Sequence, residues 1–257
     1  MDDDEKRIGI FSIFTGDYKV FYRRFVKNMR TCFFKDNKRK WVILSDVHVK
    51  RNRYLRKQTK TRIVPNDPWP YNTLNRFHYF RDIVYKEFKD LDYVFFINSN
   101  AKCWDQITVN DIDLNKDFTF VLHDNHTHED ALQKPFERNT ASTACYSDNW
   151  INPDYIGGRF IGAKPSKFLE MSNKLIENIE IDNQNNVMAI FHDESHLNWF
   201  YNTNKETLNF NLLDINYHIP EQHAYRKHFT HPKLRFINKH KKRYKHLNFT
   251  DNTKTKY

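Results

Sequence analysis

Glycine is scarce in this chain, with 5 residues among 257. A glycine-rich phosphate-binding loop is therefore excluded, because its backbone needs several neighbouring residues without a Cβ. The three cysteines, Cys32, Cys103 and Cys145, are far apart and odd in number, without the paired spacing of a metal site. We therefore expect reduced core thiols in a cytoplasmic protein.

Long apolar runs are also missing, since no stretch approaches the roughly 18 consecutive apolar residues of a membrane-spanning helix. Residues 2–5 are all acidic, whereas a secretion signal would begin with basic residues. Aromatic residues, in contrast, make up 16% of the chain. Because aromatic side chains bury large areas and are depleted in disordered proteins, we expect one folded domain with a sizeable core.

Positive charge is concentrated at the C-terminal end of the chain. The formal net charge is +10, and residues 226–257 contain 11 Lys and Arg against one acid, so residues 1–225 are neutral overall. We predict one neutral domain over 1–225 and a basic segment over 226–257 that binds phosphate. The pattern from Leu234 to Ile237 predicts a short strand that docks this segment, and the last residues are expected to be disordered. A solvated basic arm without a ligand is the alternative.

Apolar strand patterns alternate with helical patterns along the chain. Strands are predicted at 8–14, 40–44, 93–97 and 118–122, and helices at 18–34, 72–88, 165–179 and from 192–194 onward. The helix over 72–88 is expected to be capped by Asn72 or Thr73. This alternation predicts an α/β fold with an open, mostly parallel, twisted sheet flanked by helices. Ligands are expected at the carboxyl ends of its strands.

Asn98 and Asn100 follow the most apolar of the predicted strands. Two amides at this spacing can point into one crevice and bind sugar hydroxyls or phosphate. As neutral ligands they hold a divalent cation weakly compared with carboxylates. An asparagine-rich turn is the alternative.

Asp193 and Glu194 lie together in the stretch His192-Asp193-Glu194-Ser195-His196-Leu197-Asn198, at the predicted start of a helix. Both carboxylates can simply cap the helix, where anions are favoured. Alternatively, one of them faces a crevice as a nucleophile or base beside a histidine.

Three of the five glycines, Gly157, Gly158 and Gly162, lie between Tyr155 and Ala163. In a chain this poor in glycine, the concentration favours a ligand-facing wall, with a bulged strand as the alternative.

The stretch from His123 to Asp130 contains three histidines and three acids. A metal site on His123, His126 and His128 is conceivable, because imidazole and carboxylate are metal ligands. The spacing matches no rigid arrangement of ligands, so a hydrophilic mobile loop is favoured.

Taken in order, these stretches resemble glycosyltransferase family 6, which includes the histo-blood-group A and B transferases and the α1,3-galactosyltransferase. The resemblance extends over nearly the whole chain, from the first strand to about Lys242. Its most specific part is the seven-residue run from His192 to Asn198. Further resembling segments are Trp69-Pro70, Asn72-Thr73-Leu74, Arg76-Phe77-His78, Glu137-Arg138, Ala141-Ser142-Thr143-Ala144 and Asp92 to Asn100.

The segment that ends at Asn100 departs from the animal members, which have Asp-x-Asp holding Mn²⁺ against the donor diphosphate. Both acids are Asn in this chain, as in the bacterial branch of the family, whose members are similar in lacking a stem and membrane anchor. The resemblance therefore implies a GT-A-like single domain and a metal-independent enzyme without a cofactor. The basic C-terminal segment would then neutralise the UDP leaving group.

The resemblance also implies an activity and a role for individual residues. It implies a retaining hexosyltransferase that moves galactose or N-acetylgalactosamine from a UDP-sugar to the 3-hydroxyl of a fucosylated galactose, for surface polysaccharide. Glu194 would be the catalytic carboxylate beneath the anomeric carbon. Arg76 would help to neutralise the leaving group, and Gly157-Gly158-Arg159 falls where relatives select the donor sugar.

The remaining contacts that the resemblance implies fall into three groups. Donor-sugar contacts are implied for Asp193, Arg76, Asn98, Asn100, Gly157, Gly158 and Arg159. Nucleotide contacts are implied for Phe11, Ile13, Phe14, Trp69, Lys239, Lys241, Lys242 and Arg243. Acceptor contacts are implied for His123, Phe191, His192 and Ser142.

Two other function classes remain as alternatives. A nucleic-acid-binding module would use the basic C-terminal arm and exposed aromatics, and its binding would weaken steeply with salt. A metal hydrolase would use the histidines after the fourth predicted strand and would be revealed by metal analysis. The glycosyltransferase hypothesis, which we favour, predicts a nucleotide sugar and a glycan as partners, no nucleic acid, and a cytoplasmic location. The last lysines could in addition make a weak peripheral contact with anionic lipid.

Overall fold

The computed structural model describes residues 6–49, 59–223 and 229–247. The strands in this part of the chain are β1 (Arg7–Ile13), β2 (Lys38–Ser45), β3 (Thr59–Ile63), β4 (Tyr93–Ile97), β5 (Ala101–Cys103), β6 (Phe118–Val121), β7 (Phe160–Ala163), β8 (Phe210–Leu213), β9 (Ile219–Pro220) and β10 (Leu234–Phe236). The α-helices are α1 (Tyr22–Cys32), α2 (Tyr71–Leu74), α3 (Arg76–Ile83), α4 (Pro165–Gln184) and α5 (Asp193–Asn204).

A seven-stranded sheet forms the centre of the molecule, in the order β3-β2-β1-β4-β7-β6-β8. All neighbouring strands are parallel except β7, which runs antiparallel to both β4 and β6. Strand β4 lies in the middle because all five of its residues are apolar and buried, as expected for a strand covered on both faces. The predicted α/β fold with an open, mostly parallel sheet is confirmed.

Side chains alternate along the strands and separate into two cores, one on each face of the sheet. On β4, Tyr93, Phe95 and Ile97 belong to one core, and Val94 and Phe96 belong to the other. Helix α1 covers the first core, and α3, α4 and α5 cover the second. With both faces covered, the strand ends are the part of the sheet left open for a site.

A second, three-stranded sheet has the order β5-β10-β9. Strand β10 is the one predicted from the pattern Leu234 to Ile237, and it pairs antiparallel with β5. Directly after it, the backbone N–H of Ile237 donates to the carbonyl of Asn100 at 2.8 Å. The basic segment therefore docks on the body over its described part, 229–247. Residues 226–228 and 248–257 lie outside the described residues, and the disorder expected of the last residues falls on the latter range.

Cys32 and Cys103 form a disulfide bond, so the expectation that all three cysteines are reduced is wrong. Helix α1 brings them together because Asn28, one turn before Cys32, clamps the backbone of Cys103. Its Oδ1 accepts from the Cys103 N–H at 2.6 Å, and its Nδ2 donates to the Cys103 carbonyl at 3.2 Å. The cysteines are 71 residues apart in sequence, so tertiary contact pairs them. Cys145 is free.

The helices differ from the predictions mainly at their ends. The region predicted as a helix over 18–34 starts with a 3₁₀ turn over Gly16–Phe21, and only α1 is α-helical. The helix predicted over 165–179 continues to the end of α4. No helix in the described ranges is long and apolar enough to cross a bilayer.

The region predicted as one capped helix over 72–88 is divided into α2, α3 and a π-helical turn over Val84–Phe88. Neither predicted residue caps it. Pro70 is at the N-cap position, and the Thr73 hydroxyl donates back to the Pro70 carbonyl at 2.8 Å.

Candidate active site

Polar segments from several strands meet at one edge of the central sheet. Strands β1, β4 and β6 run in the same direction and end at this edge, whereas the antiparallel β7 begins there. The backbone N–H of Asn98, after β4, donates to the carbonyl of Arg159, before β7, at 2.9 Å. The structure thus brings the predicted asparagine and glycine segments together, at the edge where open α/β sheets bind ligands.

Helix α5 holds the segment before β7 through three side chains spaced four residues apart. The pairs are Glu194 with Gly158, Asn198 with Ile156 and Asn202 with Asp154. Both asparagines bond to the N–H and the carbonyl of their partner, at 2.8–3.0 Å. Four residues of helix rise about 6.0 Å and two residues of extended chain about 6.6 Å, so the two spacings match. This ladder fixes Glu194 against the glycine segment.

The Glu194 carboxylate receives two hydrogen bonds in a confined position. Its Oε2 accepts from the backbone N–H at position 158 at 2.8 Å, and its Oε1 accepts from the Tyr155 hydroxyl at 3.3 Å. Burial raises the pKa of Glu194, and the charge of Asp193 adds to the rise, while that N–H and the charges of Arg159 and Arg76 oppose it. An oriented carboxylate in such a pocket can act as a nucleophile or stabilise a neighbouring positive charge.

Arg76 and Asp193 form a buried ion pair beside Glu194, with Nη2 and Oδ2 2.7 Å apart. Arg76 Nη1 also donates to the Gly158 carbonyl at 2.9 Å, and three phenylalanine rings lie 5.2–5.6 Å from its guanidinium carbon. Removing either partner would leave a buried charge uncompensated. Arg76 therefore positions Asp193 and the glycine segment, and this placement does not support a direct role in neutralising a leaving group.

Gly157 and Gly158 are glycines because site side chains approach their backbone closely. A Cβ on Gly157 would lie 2.4 Å from His218 Nε2, and one on Gly158 would lie 2.8 Å from Arg76 Nη2. Neither residue has a positive φ, so lack of space is what requires glycine here. The wall predicted from the glycine concentration is therefore packed against site side chains.

Two cavities lie along the strand-end edge, and Tyr18 borders both. The first has a volume of about 400 Å³ and is lined by Thr15, Gly16, Asp17, Tyr18, Asn66, Asp67, Pro68 and Asn72. The second has a volume of about 130 Å³ and is lined by Tyr18, Asn98, Asn100, Arg159, Pro220, Gln222, Phe236, Ile237, Asn238, Lys239 and His240. Where they meet, Lys239 Nζ donates to the Tyr18 hydroxyl at 2.8 Å. Sequence reasoning missed Tyr18, for which the available signal was its place just after β1.

The aromatic residues predicted to contact a nucleotide lie away from these cavities. Phe11 and Phe14 are fully buried in the two cores, so the predicted nucleotide contact cannot be made through their rings. Ile13, at the end of β1, is partly exposed. The Trp69 ring packs edge-on against the His192 ring, with centroids 4.5 Å apart.

The four cations predicted to contact the nucleotide from the C-terminal segment also separate. Lys239 lines the second cavity. Lys241 instead pairs with Glu221 at 2.8 Å, and Lys242 is exposed. Arg243 lies in a 3₁₀ turn over Lys242–Tyr244, and its side chain is outside the described part of the chain.

The residues predicted to contact an acceptor are only partly brought together. The His123 ring lies 5.8 Å from that of Tyr155 and 4.9 Å from that of His218. Burial lowers the pKa of His123 well below its usual value, and His218 adds to this. Ser142 is buried and donates to Asp182 Oδ2 at 2.6 Å, so its hydroxyl does not face the cleft.

His192 and Phe191 precede α5. His192 is buried at the N-cap position with a φ of 50°, whereas Phe191 is 37% exposed. The Phe191 ring is therefore accessible to a ligand, and the His192 ring is held by Trp69.

The histidine-rich loop does not bring His123, His126 and His128 together as metal ligands, the arrangement that the metal-hydrolase alternative required. Ligand atoms of His123, Asp124 and His218 do lie within 4.8 Å of one another. Asp124 is the shared partner there, at 3.5 Å from His218 Nδ1 and 3.0 Å from His223 Nδ1. Although burial opposes it, these histidines lower the pKa of Asp124 to about 2. The group is thus a buried carboxylate surrounded by imidazoles.

The cavity beside Asn98 and Asn100 does not suit a divalent cation. Asn100 Nδ2 donates to the Ile237 carbonyl at 2.9 Å, and the two cations Arg159 and Lys239 line the same cavity. Among the residues that the structure describes, no carboxylate lines it. Mg²⁺, Ca²⁺ and similar cations are held by carboxylate and carbonyl oxygens, so this set of side chains does not fit such an ion.

Comparison with known proteins gives consistent matches. Residues 2–247 match glycosyltransferase family 6. The O-antigen biosynthesis glycosyltransferase WbnI of Escherichia coli is 30% identical over 221 residues, which cover 86% of this chain and 91% of that protein. The globoside alpha-1,3-N-acetylgalactosaminyltransferase 1 of Gallus gallus is 24% identical over 209 residues and that of Homo sapiens 23%. The chain spans 58% and 57% of these two animal proteins, less than two thirds of their length.

Proposed function

The chain belongs to glycosyltransferase family 6, and we propose that it is a retaining, metal-independent hexosyltransferase. It would move galactose or N-acetylgalactosamine from a UDP-sugar to the 3-hydroxyl of a galactose acceptor, expected to be fucosylated. The observation that supports this most is the oriented Glu194 carboxylate beside a cleft with one neutral-to-acidic cavity and one basic cavity.

The donor is assigned to the cleft in three consecutive parts. The first cavity, at about 400 Å³, has the size of a ligand pocket, and its amides and carboxylates can bond to a base and a ribose. Past Tyr18, the second cavity offers Arg159 and Lys239 to the diphosphate. The hexose would then extend toward Gly158, which neighbours Arg159 in the chain and bonds to Glu194.

Glu194 would lie beneath the anomeric carbon in this pose. When the bond from that carbon to the β-phosphate oxygen breaks, its electron pair leaves with UDP and positive charge develops on the sugar ring. Ionised Glu194 would stabilise that charge or bond to the carbon. The acceptor hydroxyl then attacks from the face that UDP left, and its proton passes to the departing phosphate. Asp193, held by Arg76 at 2.7 Å, would orient the donor hydroxyls.

We assign the acceptor to His123, His192 and Phe191, the predicted acceptor residues that remain near the Glu194 end of the site. The exposed ring of Phe191 offers a surface on which a sugar can stack. The name of the bacterial relative supports surface polysaccharide as the product, and the names of the animal relatives support N-acetylgalactosamine as one of the two donors. The cytoplasm remains the proposed location.

The basic segment gives little support to a nucleic-acid-binding function. Lys233 pairs with Asp105 at 3.2 Å and with Asp111 at 2.7 Å, and Lys241 pairs with Glu221. These carboxylates neutralise part of the charge that a nucleic acid would need.

The proposal is tested by screening UDP-sugars for slow hydrolysis and for transfer to galactosides with and without fucose. Glu194→Gln is the central variant, because glutamine keeps the shape and can still accept from the Gly158 N–H but cannot ionise. We expect turnover to fall at least roughly 100-fold, while the UDP affinity measured by calorimetry stays within about threefold. Glu180→Gln, an exposed position on α4, is the matched control and should behave as the unsubstituted protein does.

Three outcomes would contradict the proposal at different levels. Full turnover by Glu194→Gln would remove its catalytic role. Absence of both UDP binding and UDP-sugar turnover in the unsubstituted protein would refute the activity itself. Strong inhibition by EDTA would refute metal independence, since we expect equal rates with and without the chelator.

A further inference from the structure

We propose that Arg159 supplies the positive charge that binds the donor diphosphate and stabilises the departing UDP, in place of a divalent cation. This inference rests on the proposed function, because it requires a UDP-sugar as the donor. It assigns Arg159 a role at the leaving group rather than the donor-sugar contact predicted from the sequence.

Two elements place Arg159 at the point where the two sheets meet. Its carbonyl accepts from the backbone N–H of Asn98 at 2.9 Å, which ties the start of β7 to the end of β4. Its guanidinium carbon lies 5.5 Å from the centre of the Phe236 ring on β10, a distance at which a cation is attracted to an aromatic face. The side chain is therefore held at the second cavity, which it lines together with both residues.

The second cavity has the composition of an anion-binding site. Its two cationic side chains are Arg159 and Lys239, and most of its other polar side chains are amides. The amides belong to Asn98, Asn100, Gln222 and Asn238. No carboxylate of the described ranges lines the cavity, and arginine and lysine side chains are the usual partners of phosphate oxygens.

Two of the other cations predicted to neutralise the leaving group already have carboxylate partners. Arg76 is paired with Asp193 at 2.7 Å, and Lys241 is paired with Glu221 at 2.8 Å. Arg159 forms no ion pair within the part of the chain that the structure describes. An arginine held by backbone and ring contacts, with its five N–H donors available, is well suited to bind a diphosphate at more than one oxygen.

The charge of Arg159 also reaches the reacting carboxylate. It opposes the rise that burial causes in the pKa of Glu194, and it adds to the fall that burial causes in the pKa of His218. A positive charge close to both Glu194 and the second cavity lies where the leaving group would separate from the sugar.

The step itself needs no proton from Arg159. As the bond between the anomeric carbon and the β-phosphate oxygen breaks, its electron pair stays on that oxygen and UDP gains one negative charge. The guanidinium remains protonated and stabilises this charge through its N–H groups, which are in place before the reaction. This is the contribution that a bound metal ion makes when carboxylates hold it.

The experiment compares Arg159→Met, Arg159→Lys and Lys27→Met. Lys27 is an exposed cation on α1, and its substitution controls for loss of one positive charge. Calorimetry measures the binding of uridine, UMP and UDP, and kcat is measured with the preferred UDP-sugar. For Arg159→Met we expect UDP affinity to fall roughly 10- to 100-fold with uridine affinity within about twofold, and kcat to fall about 100-fold. Arg159→Lys should retain more of both, and Lys27→Met should change neither.

Chemical rescue provides a readout that a merely structural role would not give. Guanidinium chloride at millimolar concentration should restore part of the turnover of Arg159→Ala and leave the unsubstituted protein unaffected. Failure to restore any turnover would count against a charge that acts directly on the leaving group.

Three results would overturn the proposal. If uridine and UDP binding were weakened equally in Arg159→Met, the substitution would have disturbed the whole cleft. If UDP binding were unchanged and the choice of donor sugar were altered, Arg159 would contact the donor sugar rather than the diphosphate. A full rate in Arg159→Met would remove it from the reaction. Failure of the proposed function is distinguishable, because it would appear in the unsubstituted protein as absence of UDP binding and of UDP-sugar turnover.

Discussion

At the residue scale, the tightest constraint in the site is the contact between Gly157 and His218. The His218 ring is completely buried and has its Nε2 2.4 Å from where a Cβ on Gly157 would be. Because the ring also packs against His123 and Phe236, with centroids 4.9 and 5.4 Å away, it has little room to move aside.

Gly157→Ala should therefore destabilise the protein by about 1–3 kcal/mol, the usual cost of overpacking a filled interior. In the double variant with His218→Ala, the added methyl group has space, so the two effects should be strongly non-additive. Urea unfolding of the two single variants and the double variant measures this coupling. Additive free energies of unfolding would show that the two residues do not contact each other as described.

Single residues of the candidate site differ in how clearly the sequence indicates them. The adjacent acids Asp193 and Glu194 were recognised because charged residues at the start of an apolar helix are conspicuous. Phe11 and Phe14 were assigned to the nucleotide, although both rings lie in the cores. Nearly every residue of a strand buried on both faces is apolar. The sequence therefore does not show which of its side chains are exposed at the strand end and which are buried in a core.

At the element scale, the ladder between α5 and the segment before β7 combines two different repeats. Positions 194, 198 and 202 follow the helix repeat, and positions 154, 156 and 158 follow the strand repeat. The amides at 198 and 202 lie on the same helix face as Glu194, and this part of the arrangement is readable in the sequence. Their partners are backbone groups, which have no sequence signal, so the contact itself could not be predicted.

Strand topology was predicted less completely than strand existence. The mostly parallel character of the sheet follows from alternation with helices, but β7 has four residues and runs antiparallel between β4 and β6. So short a strand gives no indication of its direction. It is this reversal that places Arg159 beside Asn98.

The disulfide between α1 and β5 is the covalent link behind the cleft, since β5 follows directly after Asn100. Breaking it with Cys103→Ser should lower the free energy of unfolding by up to roughly 4 kcal/mol, the entropic value for a closed loop of this length. The loop spans 71 residues. Denaturant unfolding of oxidised protein measures the difference, and Cys145→Ser is the control with little expected change.

Thiol titration in denaturant checks the pairing directly. Oxidised protein should show one reactive thiol, from Cys145, and reduced protein should show three. Because disulfides are rare in the cytoplasm, the titration should be done on protein purified both with and without reductant. Three thiols in protein purified without reductant would contradict the pairing.

At the scale of the whole molecule, the excess of positive charge is located in the C-terminal segment, but its described part is not a uniform basic surface. Lys233 and Lys241 are paired with carboxylates of the body, and Lys239 enters the cleft. Counting charges along the sequence shows where the excess lies. It could not show which lysines face the cleft, because the acids that pair with the others come from distant positions such as Asp111 and Glu221.

The molecule also buries several histidines in the neutral form, which makes its stability depend on pH. Burial lowers the pKa of His196 to about 4 and that of His218 to about 4, despite the nearby carboxylates of Asp182 and Asp124. Asp124, with a pKa of about 2, stays ionised throughout the range considered. In the unfolded chain these histidines regain a pKa near 6.5.

Between pH 6.5 and about 4, the unfolded chain therefore binds more protons than the folded protein. The free energy of unfolding should fall as the pH falls through this window, by up to about 3 kcal/mol for each of His196 and His218. Above pH 6.5 the contribution is complete and should no longer change. The unfolded chain of His218→Asn binds one proton fewer in this window. The free energy of unfolding should therefore change less steeply with pH between 6.5 and 4, even if the variant is less stable at neutral pH. Urea unfolding at half-unit intervals from pH 7.5 to 4 measures both slopes, and equal slopes in the two proteins would mean that His218 is not held neutral by the fold.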